Sequence, residues 1–189
     1  MILPIVQYGH PVLRQKGERI ESITPEITKL IADMLETMRD ADGVGLAAQQ
    51  IGKALQLTVI DVAGIEERPS TMEINGKSVV PDKYMPLILI NPELRLFGDP
   101  AAGPEGCLSF PEIYGDITRP VSTEVRGLND KGEPLHFTCG GLLARAVQHE
   151  YDHLQGILFI DRMSREVKRK LQPELDAMQA QTKAQLGKA

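Results

Sequence analysis

The stretch Gly141-Leu-Leu-Ala-Arg-Ala-Val-Gln-His-Glu-Tyr-Asp-His-Leu-Gln-Gly156 decides how the rest of this 189-residue chain is read. It predicts a helix from about Gly141 to Gln155, stopped by Gly156. Within it His149 and His153 stand four residues apart. They project from one face a turn apart, the spacing needed to share a metal. Glu150 lies about 100° around the helix from His149 and about 60° from His153. It can flank a metal-bound water without ligating the metal, and a carboxylate so placed is a general base for hydrolysis. A helix carrying two surface histidines among acids would show the same pattern, which is short enough to arise by chance.

With Gly156 the run resembles the opening of the metzincin peptidase signature, which requires a third histidine three residues after the glycine. Phe159 stands there, so a third ligand must come from elsewhere. His10 precedes a proline in an N-terminal turn and His136 sits in a strand-like stretch, so both read as structural residues. Cys107 is the better candidate. It lies in Glu105-Gly-Cys-Leu-Ser-Phe-Pro111, and a thiolate is a strong ligand for a borderline-soft divalent metal. Cys139, in Thr-Cys-Gly-Gly, reads instead as a small buried hydrophobe.

Upstream, Thr24-Pro25-Glu26 has the form of an N-cap, a proline at N1 and a first-turn acid. Ile27, Leu30, Ile31, Met34, Leu35 and Met38 then recur at helical spacing on one core-facing stripe, until Asp42-Gly43. The glycine- and alanine-rich run Gly43–Gly52 leads into Leu55–Asp61, a buried strand. Residues 64–84 are polar, and Asn75-Gly76 predicts a small hairpin with a type I′ turn on a surface excursion. Strands are predicted at Leu87–Asn91, Ser122–Leu128 and Pro134–Thr138. A third helix begins near Ser164, and Pro173 would interrupt or offset it. The whole reads as one α+β domain over residues 1–163 with a C-terminal helical tail over 164–189.

Composition sets the outer limits. A hydrophobic fraction of 42% and a charged fraction of 25% exclude a chain disordered throughout. The formal charge of -5 argues against a general DNA or RNA binder. Apolar runs such as Met85–Ile90 are too short to span a bilayer. No secretory signal is visible at Met1-Ile-Leu-Pro-Ile5, so the two cysteines are expected as reduced thiols in a cytoplasm.

Three motifs together are specific. Gly43-Val-Gly-Leu-Ala-Ala-Gln-Gln50, Glu105-Gly-Cys-Leu-Ser109 and Gln148-His-Glu-Tyr-Asp-His153 resemble the peptide deformylase family in content and order. Tyr8–Arg14 and Leu89–Glu93 resemble further segments of it, and the likeness covers roughly residues 1–163 apart from 64–84. The resemblance implies antiparallel sheets around a central metal-binding helix. It also implies an enzyme that removes the formyl group from the N-terminal formylmethionine of nascent polypeptides, releasing formate. Cys107, His149 and His153 match the family's metal ligands. The ion is one divalent metal, commonly iron(II), with zinc, nickel or cobalt also able to occupy the site.

The same resemblance assigns roles around the metal. Metal-bound water attacks the formyl carbon, with Glu150 as base and then acid. Gln50 and the backbone N–H of Leu108 match the donors to the oxyanion. Gly45 matches a contact to the substrate backbone, and Val44, Leu142, Arg145 and Ala146 match the methionine pocket. Arg145 is charged where other members are apolar, and is expected to turn its head outward and cover the wall with its stem. Tyr114 stands where some members have a peptide-binding arginine, which puts the affinity for longer peptides in question. Glu105 is expected among the substrate-binding residues of the same site; it and Arg119 form either a brace for the Cys107 segment or a solvated pair.

Other readings stay open at this stage. An amidase acting on a different N-acyl group could use the same site, and a metal-stabilised binding protein could retain the ligands. Glu150 and Gln50 speak against the latter, since a structural site needs neither. The tail carries six basic and three acidic residues after Ser164. Val167, Leu171, Leu175 and Met178 fit one docking stripe, a solvated tail being the alternative. The resemblance adds the ribosome as a partner for this basic helix.

Overall fold

Thr24 opens the first helix as its sequence predicts, its hydroxyl accepting from the Ile27 N–H at 3.3 Å, with Pro25 in the first turn. Such a cap contributes about 1 kcal/mol. The helix α1 runs Pro25–Asp40, and its inner face, Ile31, Met34 and Met38, packs with Leu46, Leu57, Val59 and Ile90. The computed structural model describes residues 1–188.

Seven strands follow in the chain: β1 Gly45–Ala47, β2 Leu57–Ile60, β3 Ser70–Ile74, β4 Lys77–Val79, β5 Leu87–Cys107, β6 Phe110–Leu128 and β7 Pro134–Gly140. They form one antiparallel sheet in the order β1-β2-β5-β6-β7-β3-β4. The helix α2, Gly141–Leu154, leaves β7 directly and lies in the hollow of this sheet. Of its 14 residues 11 are buried, which leaves only Gly141, Arg145 and Tyr151 outside that set. Leu143, Ala144 and Val147 pack with Ile60, Leu89, Val125 and Phe137. A helix buried on nearly every side can hold polar residues only where they have partners. That requirement sets up the site.

Three expectations need correction. Residues 64–84 are not a surface excursion alone. Asn75 and Gly76 do make the turn, both at positive φ, but β3 joins the main sheet through Met72↔Cys139, and Met72 is only 2% exposed. Second, the short strands expected at Leu87–Asn91 and Ser122–Leu128 extend into a long hairpin of 21 and 19 residues. Pro100 faces Pro120 in that ladder, and register shifts near Pro92, Pro100 and Cys107 absorb what prolines and glycines would otherwise break.

Third, Pro173 does not divide the tail: the helix α3 runs Arg165–Leu186 without interruption. Nor does the tail hang free in solvent, since its apolar stripe is docked on the domain. Leu175, 1% exposed, shares a cluster with Leu13, Phe110, Ile117 and Phe159, flanked by Val167, Leu171 and Met178. Among the described residues no helix is long and apolar enough to cross a membrane.

Candidate active site

The hairpin of β5 and β6 reverses through Leu108 and Ser109, with Cys107 paired to Phe110, so Cys107 sits at its tip. The tip meets the face of α2 that carries both histidines. The ligand atoms of Cys107, His149 and His153 all lie within 4.8 Å of one another, and Cys107 Sγ is 3.3 Å from His153 Nε2. His149 Nδ1 is 2.9 Å from Glu105 Oε1, which commits that nitrogen to the carboxylate and leaves Nε2 for a metal. Phe159, where a third histidine would complete a metzincin-type site, packs its ring 5.7 Å from that of His149.

The donor set fits a divalent metal. One thiolate and two imidazoles leave an open position, as a catalytic ion requires. Burial pushes the His149 imidazole down, but hydrogen bonds with Cys107 and Glu105 outweigh it and carry the pKa up to about 10. A metal ion would have to displace that proton, since only the neutral imidazole ligates. Burial, then His149 and Arg119, hold His153 well below its ordinary value, so it is neutral and ready to ligate. The other histidines are elsewhere. His10 Nδ1 accepts from the Val12 N–H, and His136 lies on the surface 3.4 Å from Glu124.

Behind His149 lies a buried charge network. Arg119 donates to Glu105 through Nε at 2.6 Å and Nη2 at 3.0 Å, and through Nη1 to Asp152 at 2.9 Å. Arg162 closes on Asp152 from the other side. Burial raises the Glu105 carboxyl, but His149 and Arg119 overcome this and hold it far below the usual carboxylate range. Of the two sequence readings, the brace is the one present. Glu105 borders the cleft, yet its two oxygens are already engaged by His149, Arg119 and Arg145.

Arg145 differs from expectation. Its head turns inward, donating to Glu105 Oε2 at 2.9 Å and to the carbonyls of Ile117 and Ala101 at 2.8 and 2.9 Å. The carboxylate offered by Glu105 on the facing hairpin outcompetes water for the guanidinium.

Glu150 and Gln50 complete the centre. Glu150 is buried, and that burial, opposed mainly by His149, raises its carboxyl to about 7. Thr58 Oγ1, whose hydroxyl donates to the Leu46 carbonyl at 2.8 Å, lies 3.4 Å from Glu150 Oε2. A Cβ at Gly45 would stand 2.8 Å from Glu150 Oε1, so only glycine lets β1 pass this closely. Gln50 sits on the 3-10 turn Ala48–Ile51. The Ala47 N–H donates to its Oε1 at 3.0 Å, which turns the amide NH2 toward Cys107 Sγ at 3.6 Å and Ser109 Oγ at 3.2 Å.

A cleft of about 510 Å³ opens onto these groups, bordered by Val44, Gly45, Leu108, Leu142 and Ala146, with exposed Tyr114 on its wall. Sequence reasoning missed Thr58, Ser109, Asp152 and the cleft residue Arg68. Asp152 lies inside the histidine motif, where an acid on a helix predicted as central was a readable sign. Thr58, a polar residue within an apolar strand, was another. Ser109 closes the Glu105–Ser109 motif, a readable sign of the same kind; Arg68 gave none.

Three metal donors with an open side, and a base within reach of it, are what a metal-dependent hydrolase needs and a structural metal site does not. That is the class defined by fold and site, and comparison with known proteins narrows it. The family model described as polypeptide deformylase matches residues 2–169. The peptide deformylase of Methylacidiphilum infernorum is 47% identical over 93% of this chain and 92% of its own. That of Opitutus terrae is 44% identical over 97% and 96%. Among solved structures, Arabidopsis thaliana peptide deformylase 1B in complex with an inhibitor superposes with a TM-score of 0.83 at 34% identity, covering 98% of this chain and 94% of that one. The chain belongs to the peptide deformylase family.

Proposed function

We propose that this chain hydrolyses the N-terminal formamide of formylmethionyl peptides, yielding formate and a free methionine amine. The observation that carries this reading is the placement of Glu150, 4.0 Å from His149 Nε2, and of the Gln50 amide, 3.6 Å from Cys107 Sγ, against the Cys107–His149–His153 set. A divalent ion held by those three residues would supply Lewis-acid polarisation and an acidified water at its open position.

The protein's own groups supply the rest. Glu150, with a carboxyl near 7, takes a proton from the attacking water and returns it to the methionine nitrogen as the C–N bond breaks. The NH2 of Gln50, held by Ala47, and the Leu108 backbone N–H act as donors for the oxygen that gains negative charge. Val44, Leu142, Ala146 and the stem of Arg145 form the methionine side of the cleft. The Gly45 backbone lies along the peptide, and Tyr114 borders its exit.

The decisive experiment is anaerobic turnover of formyl-Met-Ala-Ser against its acetyl analogue, with formate detection and metal analysis of the same sample. Formate release with about one ion per chain and no acetyl turnover is expected. Comparable acetyl turnover would assign the chain to a broader N-acyl amidase. A fully metallated chain inert toward both would be a metal-stabilised binding protein.

We further infer iron(II) as the resident ion, with zinc, nickel and cobalt as substitutes that this donor set also accepts. The site of action is the cytoplasm, where formylated chains emerge. The exposed face of α3, carrying Arg165, Arg169, Lys170 and Lys183, meets the ribosome. Charge reversal there should abolish a salt-sensitive co-sedimentation with ribosomes while leaving peptide turnover in place.

A further inference from the structure

Two arginines border the cleft, in opposite states. Arg145 is fully engaged by Glu105 and two backbone carbonyls. Arg68 is half-buried and, among the described residues, has neither an ion-pair nor a hydrogen-bond partner. Asp42 and Glu112 also border the cleft, and neither pairs with it. A guanidinium on the cleft wall with no protein acceptor has its donors free for an incoming oxygen.

The position of Arg68 is fixed by its neighbours. The Pro69 carbonyl accepts from the Leu142 N–H at 3.2 Å, and Ser70 Oγ accepts from the Leu143 N–H at 3.0 Å. These are first-turn donors of α2 that the helix itself leaves unpaired. Gly141, at φ +67, makes the approach feasible, since a Cβ there would stand 2.1 Å from the Pro69 oxygen. Segment 68–70 is thus clamped to the start of the metal-binding helix. Leu142 precedes His149 by two turns, roughly 10 Å along the axis. Leu142 itself walls the methionine side of the cleft, so an arginine side chain anchored beside it borders that pocket away from the metal ligands, within reach of the groups that follow the methionine.

We propose that Arg68 is a specificity-determining residue: its guanidinium binds oxygen acceptors of the substrate downstream of the methionine. Two sources share that chemistry, the backbone carbonyls of the second and third residues and an acidic side chain there. The proposal rests on the deformylase reading.

The test compares wild type, Arg68→Ala and Arg68→Lys, each metal-loaded and matched for thermal midpoint. The substrates are formyl-Met amide and the amides of formyl-Met-Ala-Ser and formyl-Met-Glu-Ser. Loss of a charged hydrogen bond should raise KM for the tripeptides about tenfold in Arg68→Ala, with kcat changed far less. The preference for tripeptide over formyl-Met amide should collapse by the same factor, and Arg68→Lys should recover part of it. A rise for both tripeptides assigns the contact to backbone carbonyls; a rise only for the glutamate peptide assigns it to the acid. Tripeptide KM values within twofold of wild type would overturn the proposal, as would an equal effect on formyl-Met amide. If wild type is inert toward every formyl substrate, the deformylase reading itself fails, a result distinct from the others.

Discussion

Arg145 Nη1 lies 2.9 Å from Glu105 Oε2, and the other oxygen of that carboxylate holds His149 Nδ1 at the same distance. One helical turn of α2 therefore contains both a metal ligand and a cation that positions the ligand's partner. Arg145→Met keeps the stem that lines the cleft but deletes three hydrogen bonds. Arg119 still pairs with Glu105, so the expected destabilisation is on the order of 2 kcal/mol rather than the larger cost of an orphaned charge. Metal affinity should fall about tenfold, as when a partner behind a ligand is weakened. Urea unfolding of the metal-loaded protein and a chelator competition measure the two effects; if both are unchanged, the network does not position His149.

Glu150→Gln separates base from ligand. The amide is close in shape, so metal content should match wild type while turnover of formyl-Met-Ala-Ser falls by a factor on the order of 10² or more. Cys107→Ala should do the reverse, giving a folded chain that no longer retains its ion in dialysis. Metal loss from the Glu150 variant would instead make that carboxylate a ligand.

The parts of this site legible in the sequence were those written in one helical period. His149, Glu150 and His153 share a helix, so spacing alone set their relative directions. The stripe from Ile27 to Met38 and the Asn75-Gly76 turn were readable for the same local reason. Cys107 was recoverable as a residue but not as a hairpin tip, because the prolines and glycines between Pro92 and Pro120 erase the alternation that marks a strand. The direction of Arg145 depended on Glu105, a carboxylate 40 residues away on another element. Arg68 lies in a polar segment without periodicity, and only the clamp of Pro69 and Ser70 onto α2 brings it to the cleft.

Acid stability should report a pair remote from the metal. Burial raises the Asp161 carboxyl, but hydrogen bonds from Arg14 and from the Leu158 N–H prevail and hold it below its ordinary value. A folded-state pKa below the unfolded one makes the contribution fully present above the unfolded value, about 3.9. It is lost as pH falls through the lower folded value. Asp161→Asn should therefore lower the urea midpoint at pH 7, and the gap from wild type should close as pH drops below about 4. A gap that persists unchanged at pH 2 would show that the loss comes from packing rather than charge.

The tail is tied to the site through a row of packed rings. Leu175 shares its cluster with Phe110, whose ring meets Phe159 edge-on at 5.0 Å, and Phe159 in turn packs on His149. Leu175→Ala leaves a cavity where a fully buried side chain stood, at an expected cost of about 3 kcal/mol. Truncation after Met163 removes the whole stripe of Val167, Leu171, Leu175 and Met178, and should cost more. Both variants should unfold at lower urea, with the point variant retaining its metal at 25 °C because the direct ligands and Glu105 are untouched. A tail that merely hangs in solvent predicts no shift in either midpoint, so coincident unfolding curves for wild type and Leu175→Ala would remove α3 from the folded unit.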